Sequence, residues 1–255
     1  MLTITRYVLM DLLKNRSVAI YTVVLAVLSC SLLGLEENGA KGLLSLLNIT
    51  LLFVPVITTL FATIYFFNSL EFIELLLSQP VKRGRVLFAT YNGMAVSLSA
   101  SFVAGVGLPV LILAPTGPAL VLTITGVLLT CIFTAIALLV FVLCKDKTKG
   151  IGAAIVISLF FTLLFDGLLM TFIYAFSDYP IDRTLIGLLT LNPVDLGRVL
   201  MLLQLDAAVL MGYSGALFKK FLGTPLGSVY AVASLIGWVV APLLISARVF
   251  RKKDL

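Results

Sequence analysis

Six long apolar runs, separated by short polar clusters, set the pattern of this chain. They cover residues 18–35, 46–67, 86–114, 119–143, 150–176 and 228–247. A helix needs about 20 apolar residues to cross a bilayer, so each run predicts a membrane span. Three shorter stretches show a 3.6-residue period instead. From Thr5 to Arg16, Tyr7, Val8 and Leu12 oppose Asp11, Lys14 and Asn15, which predicts a helix lying in the membrane interface. From Asn68 to Arg85, Leu70, Ile73 and Leu77 oppose Glu71, Glu74 and Ser78, and Gln79-Pro80 ends the segment. The third begins at Asn192-Pro193-Val194-Asp195, which reads as an N-cap, a proline in the first turn and an early acid. Leu196, Val199, Leu200 and Leu203 then form a stripe opposite Gly197, Arg198 and Gln204, predicting a surface or re-entrant helix.

Several details refine the spans. Gly93, Ser97, Ser101 and Gly105 recur every four residues along the third, a spacing that lets another helix approach closely. Pro55 lies inside the second span, where a membrane helix tolerates it by satisfying the freed backbone groups locally. Glu36-Glu37-Asn38-Gly39 and Ala114-Pro115-Thr116-Gly117-Pro118 are turns. The basic amino terminus before the first run resembles a signal peptide, but 18–35 is long enough to span and no A-x-A site follows, so a retained helix is expected.

Composition removes the soluble classes. Of the 255 residues 61% are hydrophobic and 12% charged, against about 25% charged in a soluble domain. An all-α integral membrane protein is implied, with residues 1–255 forming a single transmembrane domain. The net charge of +6 does not indicate nucleic acid, because the basic residues flank apolar runs in small clusters. Those clusters are Arg6, Lys14, Arg16; Lys82, Arg83, Arg85; Lys145, Lys147, Lys149; and Arg248, Arg251, Lys252, Lys253. They fall on one side of a six-span chain, which by the positive-inside rule places both termini in the cytoplasm. The remaining basic residues, Lys41, Arg183, Arg198, Lys219 and Lys220, fall outside, four of them in the long stretch before the last span.

The candidate chemistry is sparse. Histidine is absent, which removes the usual general base and the commonest metal ligand. Cys30, Cys131 and Cys144 have no CxxC spacing and read as buried packing residues. No Gly-rich loop ending in G-K-[ST] is present to cradle ATP, and no serine or cysteine has a histidine to activate it. A non-catalytic chain is expected, with no resident metal. Asp166 stands some sixteen residues into the fifth span. A carboxylate there must be paired, protonated or hydrated, since a charge in hydrocarbon costs about 2.5–3.5 kcal/mol on translocon scales. It is either a functional acid or a packing acid in the wet outer mouth of the bundle. Met170, Met201 and Met211 lie towards the outer face; methionine at helical spacing is ordinarily packing material, although its sulfur is a soft ligand.

The layout of an interfacial amino-terminal helix, six spans, a cytoplasmic helix between the second and third, and an outer helical excursion before the sixth resembles the ABC-2 class of ABC-transporter permeases, of type V exporter-like architecture. Leu75-Leu76-Leu77-Ser78-Gln79-Pro80-Val81-Lys82-Arg83-Gly84-Arg85, then Leu164-Phe165-Asp166, Leu191-Asn192-Pro193-Val194-Asp195 and Val249-Phe250-Arg251-Lys252-Lys253 are similar to the NosY type, which serves nitrous oxide reductase maturation in denitrification. One departure is Asn68-Ser69-Leu70-Glu71-Phe72-Ile73, where relatives often carry an acidic, glycine-containing run just before the cytoplasmic helix.

The resemblance implies a permease in the bacterial cytoplasmic (inner) membrane that dimerises with a second copy of itself. It implies an ABC ATPase dimer docking on Glu71, Glu74, Leu76, Leu77, Ser78, Gln79 and Pro80, with ATP and magnesium held by that partner and no cofactor held by this chain. On the outer side it implies a periplasmic copper-handling accessory protein meeting Asn192, Pro193, Asp195 and Arg198. Membrane lipid is a further partner, and nucleic acid is not. Two other functions stay open: an ABC-2 exporter of a lipid, glycan or drug, and an ion-coupled secondary transporter working through Asp166.

Overall fold

The computed structural model describes residues 2–36, 39–79, 81–176, 182–205 and 224–252. Pro80, Met211, Lys219, Lys220, Lys253 and the Glu37-Asn38 part of the first turn lie outside the described residues. Every described element is helical, as a lipid-embedded backbone requires when no water is available to satisfy its polar groups.

In chain order, α1 is Leu2–Leu13, α2 Arg16–Leu35, α3 Gly39–Asn68, α4 Leu70–Leu77, α5 Arg83–Phe102 and α6 Leu108–Leu113. There follow α7 Gly117–Leu143, α8 Lys147–Leu159, α9 Phe165–Ala175, α10 Asp182–Thr190, α11 Pro193–Gln204 and α12 Pro225–Lys252. Among the described residues six helical stretches are long and apolar enough to cross a membrane: Arg16–Leu35, Gly39–Asn68, Arg83–Leu113, Gly117–Leu143, Lys147–Ala175 and Gly227–Arg251. The second starts seven residues earlier than its hydrophobic run predicts, because Gly39-Ala40-Lys41 continue the helix without a breaker. The pair α10 and α11 is bent by 111° and forms no straight span.

Two spans change pitch. A π turn at Val103–Gly107 joins α5 to α6, and another at Phe160–Leu164 joins α8 to α9. The first precedes Pro109, which has no N–H to give to the carbonyl of Gly105. The hydroxyl of Ser29 on α2 shares its proton between Leu25 O (2.7 Å) and Gly105 O (3.1 Å), supplying a donor from the neighbouring helix.

α7 lies at the centre, packed by α3, α12, α11, α5 and α8. Because lipid tails are as apolar as its side chains, close fit rather than hydrophobicity selects its neighbours. Gly126 receives the ring of Phe102, which is fully buried. The expected small-residue stripe on α5 works the same way. A Cβ on Gly93 would stand 2.6 Å from Val8, and one on Gly105 would stand 2.8 Å from Leu25. Several buried threonines satisfy their hydroxyls on their own helix: Thr59 on Pro55 O (2.6 Å), Thr130 on Gly126 O (2.8 Å) and Thr134 on Thr130 O (2.7 Å).

The basic clusters gather at one end of the bundle. There Lys147 Nζ donates to Asn68 Oδ1 at 2.7 Å, and Phe67 meets Phe141 edge-on. α1 lies across this end with Val8 and Leu12 buried and the Thr5 hydroxyl on Ala89 O. Tyr7 departs from the expected buried stripe: it is exposed, and its ring stacks on Phe72 of α4 at 5.3 Å. Cys30 likewise is exposed and not buried, because it sits on the face of α2 turned away from the bundle; Cys131 and Cys144 are half-buried. Ile20, Val23, Val24 and Val27 are also exposed on α2, a face suited to lipid.

Candidate functional site

Two places at opposite ends of the bundle collect the polar residues singled out by sequence. At the basic end α3 runs to Asn68, the chain bends at Ser69 (φ −91°, ψ 7°), and α4 continues as two turns with Ile73 N donating to Ser69 O. Ile73 is buried, and Leu70, Leu76 and Leu77 are half-buried against the same core as Phe66, Val86 and Phe141. The opposite face, made by Glu71, Glu74, Leu75, Ser78 and Gln79, is exposed. Among the described residues neither glutamate has an ion-pair partner. Leu75, next to Glu74 and one turn after Glu71, is 60% exposed. The resemblance implied Leu76 and Leu77 among the contact residues; the structure turns both partly inward and leaves Leu75 outward, a distinction that the run Leu75-Leu76-Leu77 hides. The Tyr7–Phe72 stack braces α4 against α1, so the exposed face belongs to a helix held from two sides.

At the other end the structure brings Asp166 of the fifth span to Asn192, Asp195 and Arg198 at the start of α11. Asn192 caps α11, its Oδ1 accepting from Val194 N at 3.0 Å. Its amide Nδ2 donates both to Phe161 O in the second π turn (2.9 Å) and to Asp195 Oδ2 (2.7 Å). Arg198 Nη1 meets Asp166 Oδ2 at 2.5 Å and lies 3.3 Å from Asp195 Oδ1. Asp166 is therefore paired, and its partner comes from α11. Two carboxylates share one guanidinium, with side-chain exposures of 33% for Asp166, 5% for Asp195 and 23% for Arg198.

This arrangement clamps α11 to the fifth span at two points, Phe161 O and Asp166. Close approach on the other flank comes from Gly197, where a Cβ would stand 2.8 Å from Thr125 Cγ2 on α7. The supposedly polar face of α11 is thus packed as well as its apolar stripe. Asn192, Pro193 and Asp195, which the resemblance implies a partner meets, are buried and engage the bundle itself. The geometry makes them the residues that orient the helix. Trp238 of α12 closes the assembly by donating Nε1–H to Thr190 O at 2.8 Å, while its ring meets Phe161 edge-on at 5.3 Å.

Soft-metal chemistry finds little support in the geometry. Met201 is fully buried and Met170 is exposed, so the two do not line one surface. Among the described residues no group of three His, Cys, Asp or Glu is placed to hold a metal ion.

Comparison with known proteins places these features in a family. The family described as ABC-2 family transporter protein matches residues 8–255. The chain is similar to the probable ABC transporter permease protein NosY of Pseudomonas aeruginosa, at 28% identity over 99% of this chain and 98% of the relative. It is also similar to the probable ABC transporter permease protein NosY of Stutzerimonas stutzeri, at 26% identity over 98% of this chain and 97% of the relative.

Proposed function

The chain belongs to the ABC-2 family of transporter proteins, and from that premise we propose that it receives the stroke of a separate cytoplasmic ATPase dimer through α4 and passes it to the outer face. In this reading two copies of the chain pair in the bacterial inner membrane with the basic end in the cytoplasm. ATP and magnesium stay on the ATPase, and this chain catalyses nothing. The cargo pathway is the maturation of the copper sites of nitrous oxide reductase, through a periplasmic copper-handling protein.

The observation that carries the proposal is the exposed face of α4. An acidic pair, Glu71 and Glu74, lies beside Leu75, which is 60% exposed on a helix otherwise anchored in the core. An exposed large apolar side chain ringed by polar groups is the anatomy of a docking point. Similarity to two NosY permeases over nearly the full length supports the choice of pathway. At the other end, Asn192, Pro193, Asp195 and Arg198 hold α11 in place beneath the surface that the periplasmic partner would meet.

The test is a Glu74→Ala, Gln79→Ala chain, with Leu75→Asp as a second variant. Each should insert normally yet lose at least about tenfold in co-purified ATPase, the effect of removing one hot-spot contact of ~1.4 kcal/mol or more. Wild-type ATPase binding in both variants refutes the dock. For the pathway, a strain lacking this chain should make nitrous oxide reductase without its copper signals. Vesicles that export a lipid, glycan or drug on ATP addition without a periplasmic protein would assign the chain to the exporters instead.

A further inference from the structure

At the basic end, the amino terminus of α5 and the carboxyl-terminal part of α12 enclose a pocket of about 620 Å³ lined by Lys82, Arg83, Arg85, Arg251 and Phe88. No acidic residue lines it, and among the described residues Lys82, Arg85 and Arg251 have no carboxylate partner. Positive-inside orientation explains why basic residues lie at this end, but not why four of them from two spans converge on one concavity.

A second concavity lies further along the third span. It is a groove of about 800 Å³ between the third and sixth spans, almost wholly apolar, with Asn92 at its start and Val96, Val103 and Leu108 along it; Ile236 and Val239 form the α12 wall, and Val127 and Leu128 of α7 its floor. Arg85, Phe88, Asn92, Val96, Ser99 and Val103 follow one another at three- and four-residue steps, so pocket and groove share one face of the same span. At 1.5 Å per residue, the groove runs about 24 Å from Asn92 to Leu108, the scale of an extended acyl chain, and Asn92 lies about 10 Å in from Arg85. Asn92 is exposed, and among the described residues its carboxamide has no hydrogen-bond partner.

We propose that the third and sixth spans together form a binding site for one anionic phospholipid of the cytoplasmic leaflet. The phosphate sits among Arg85, Arg251 and their neighbours, where a helix amino terminus adds favourable N–H dipoles. Asn92 donates to a glycerol ester carbonyl, and one acyl chain lies along Val96 and Val103. Charge complementarity selects the anionic headgroup. The apolar continuation within the thickness of the bilayer selects a lipid over an acidic face of a soluble protein, which could fill the pocket but not the groove. The site lies just beyond α4 in sequence, so the lipid would hold the inner end of the third span at a set depth beside the dock. The inference depends on which end is cytoplasmic and not on the cargo or on α4 being the dock.

The full chain, purified in zwitterionic detergent and stripped of lipid, is titrated with phosphatidylglycerol or phosphatidylcholine and followed by native mass spectrometry and thermal shift. One tightly held phosphatidylglycerol per chain is expected, with phosphatidylcholine far weaker. Arg85→Gln with Arg251→Gln should weaken phosphatidylglycerol about 30-fold, as expected from losing two such charges near an anionic headgroup. Val96→Trp, on an exposed groove position, should weaken it with the pocket intact. Lys145→Gln with Lys149→Gln removes equal charge elsewhere and should leave binding unchanged. The proposal is overturned if the Arg85/Arg251 variant binds like the wild type, or if the Lys145/Lys149 control loses as much. It is equally overturned if inorganic phosphate gives the same thermal shift at the same concentration, or if the Arg85/Arg251 change abolishes ATPase binding while lipid binding persists.

Discussion

Replacing Arg198 by glutamine removes the cation that two carboxylates share, and its consequence can be worked from the geometry. Losing one partner of a fully buried pair costs about 3–5 kcal/mol, and of an exposed pair about 0–1 kcal/mol. Asp166 and Arg198 are 33% and 23% exposed, so water screens their contact and places it low in that range. Asp195 is only 5% exposed, and without Arg198 its charge has Asn192 as its remaining polar contact among the described side chains. Together these give about 2 kcal/mol for Arg198→Gln, or roughly 30-fold in the unfolding equilibrium. Because the cost lies mainly in a stranded buried charge, Asp195→Asn in the same chain should recover about half of it, a second substitution that stabilises. Trp238 is the only tryptophan and sits on Thr190 beside this network. Its fluorescence in mixed micelles of rising SDS content therefore reports the undocking of α10 and α11. A guanidinium shared by two carboxylates is refuted if the double variant is no more stable than Arg198→Gln alone, or if Arg198→Gln costs less than about 0.5 kcal/mol, the scale of an ordinary surface change.

Two packing predictions follow from the bundle. Gly126→Ala would drive a methyl into the buried Phe102 ring, costing about 1–3 kcal/mol by overpacking; Phe102→Leu should recover part of this in the same micelle titration, and a neutral Gly126→Ala would contradict the packing. Ser29→Ala removes the hydroxyl that serves Gly105 O opposite Pro109. It should cost about 1–3 kcal/mol as an unsatisfied buried acceptor, whereas Ser29→Thr, which keeps the hydroxyl, should cost less in thermal unfolding.

Much of this architecture is legible in the chain because its cause is local. A backbone in lipid must close its own hydrogen bonds, so length and apolarity alone locate the six spans, and the cap Asn192-Pro193 locates α11 to the residue. The amphipathic period of α4 gives its buried Ile73 and its exposed glutamates for the same reason. What periodicity could not separate is a choice between adjacent leucines: Leu75 faces out and Leu76 partly in, because the roll of a two-turn helix is set by what it leans on, here α1 and the core.

The number of spans, the clustering of basic charge, the short helix between the second and third spans, and Asp166 as an acid that had to be paired, protonated or hydrated are all written in the chain. Only the tertiary structure decided who that partner is. Arg198 reaches Asp166 across 32 positions because Gly197 lets α11 approach Thr125 and because Asn192 grips the π turn at Phe161. Neither contact leaves a periodic trace. The same holds for Lys82, Arg83, Arg85 and Arg251, which the chain scatters over two spans and the fold gathers around one pocket. Spacing along a helix encodes the face on which a side chain lies, but which faces meet depends on how closely backbones can pack, and that is a property of the assembled bundle.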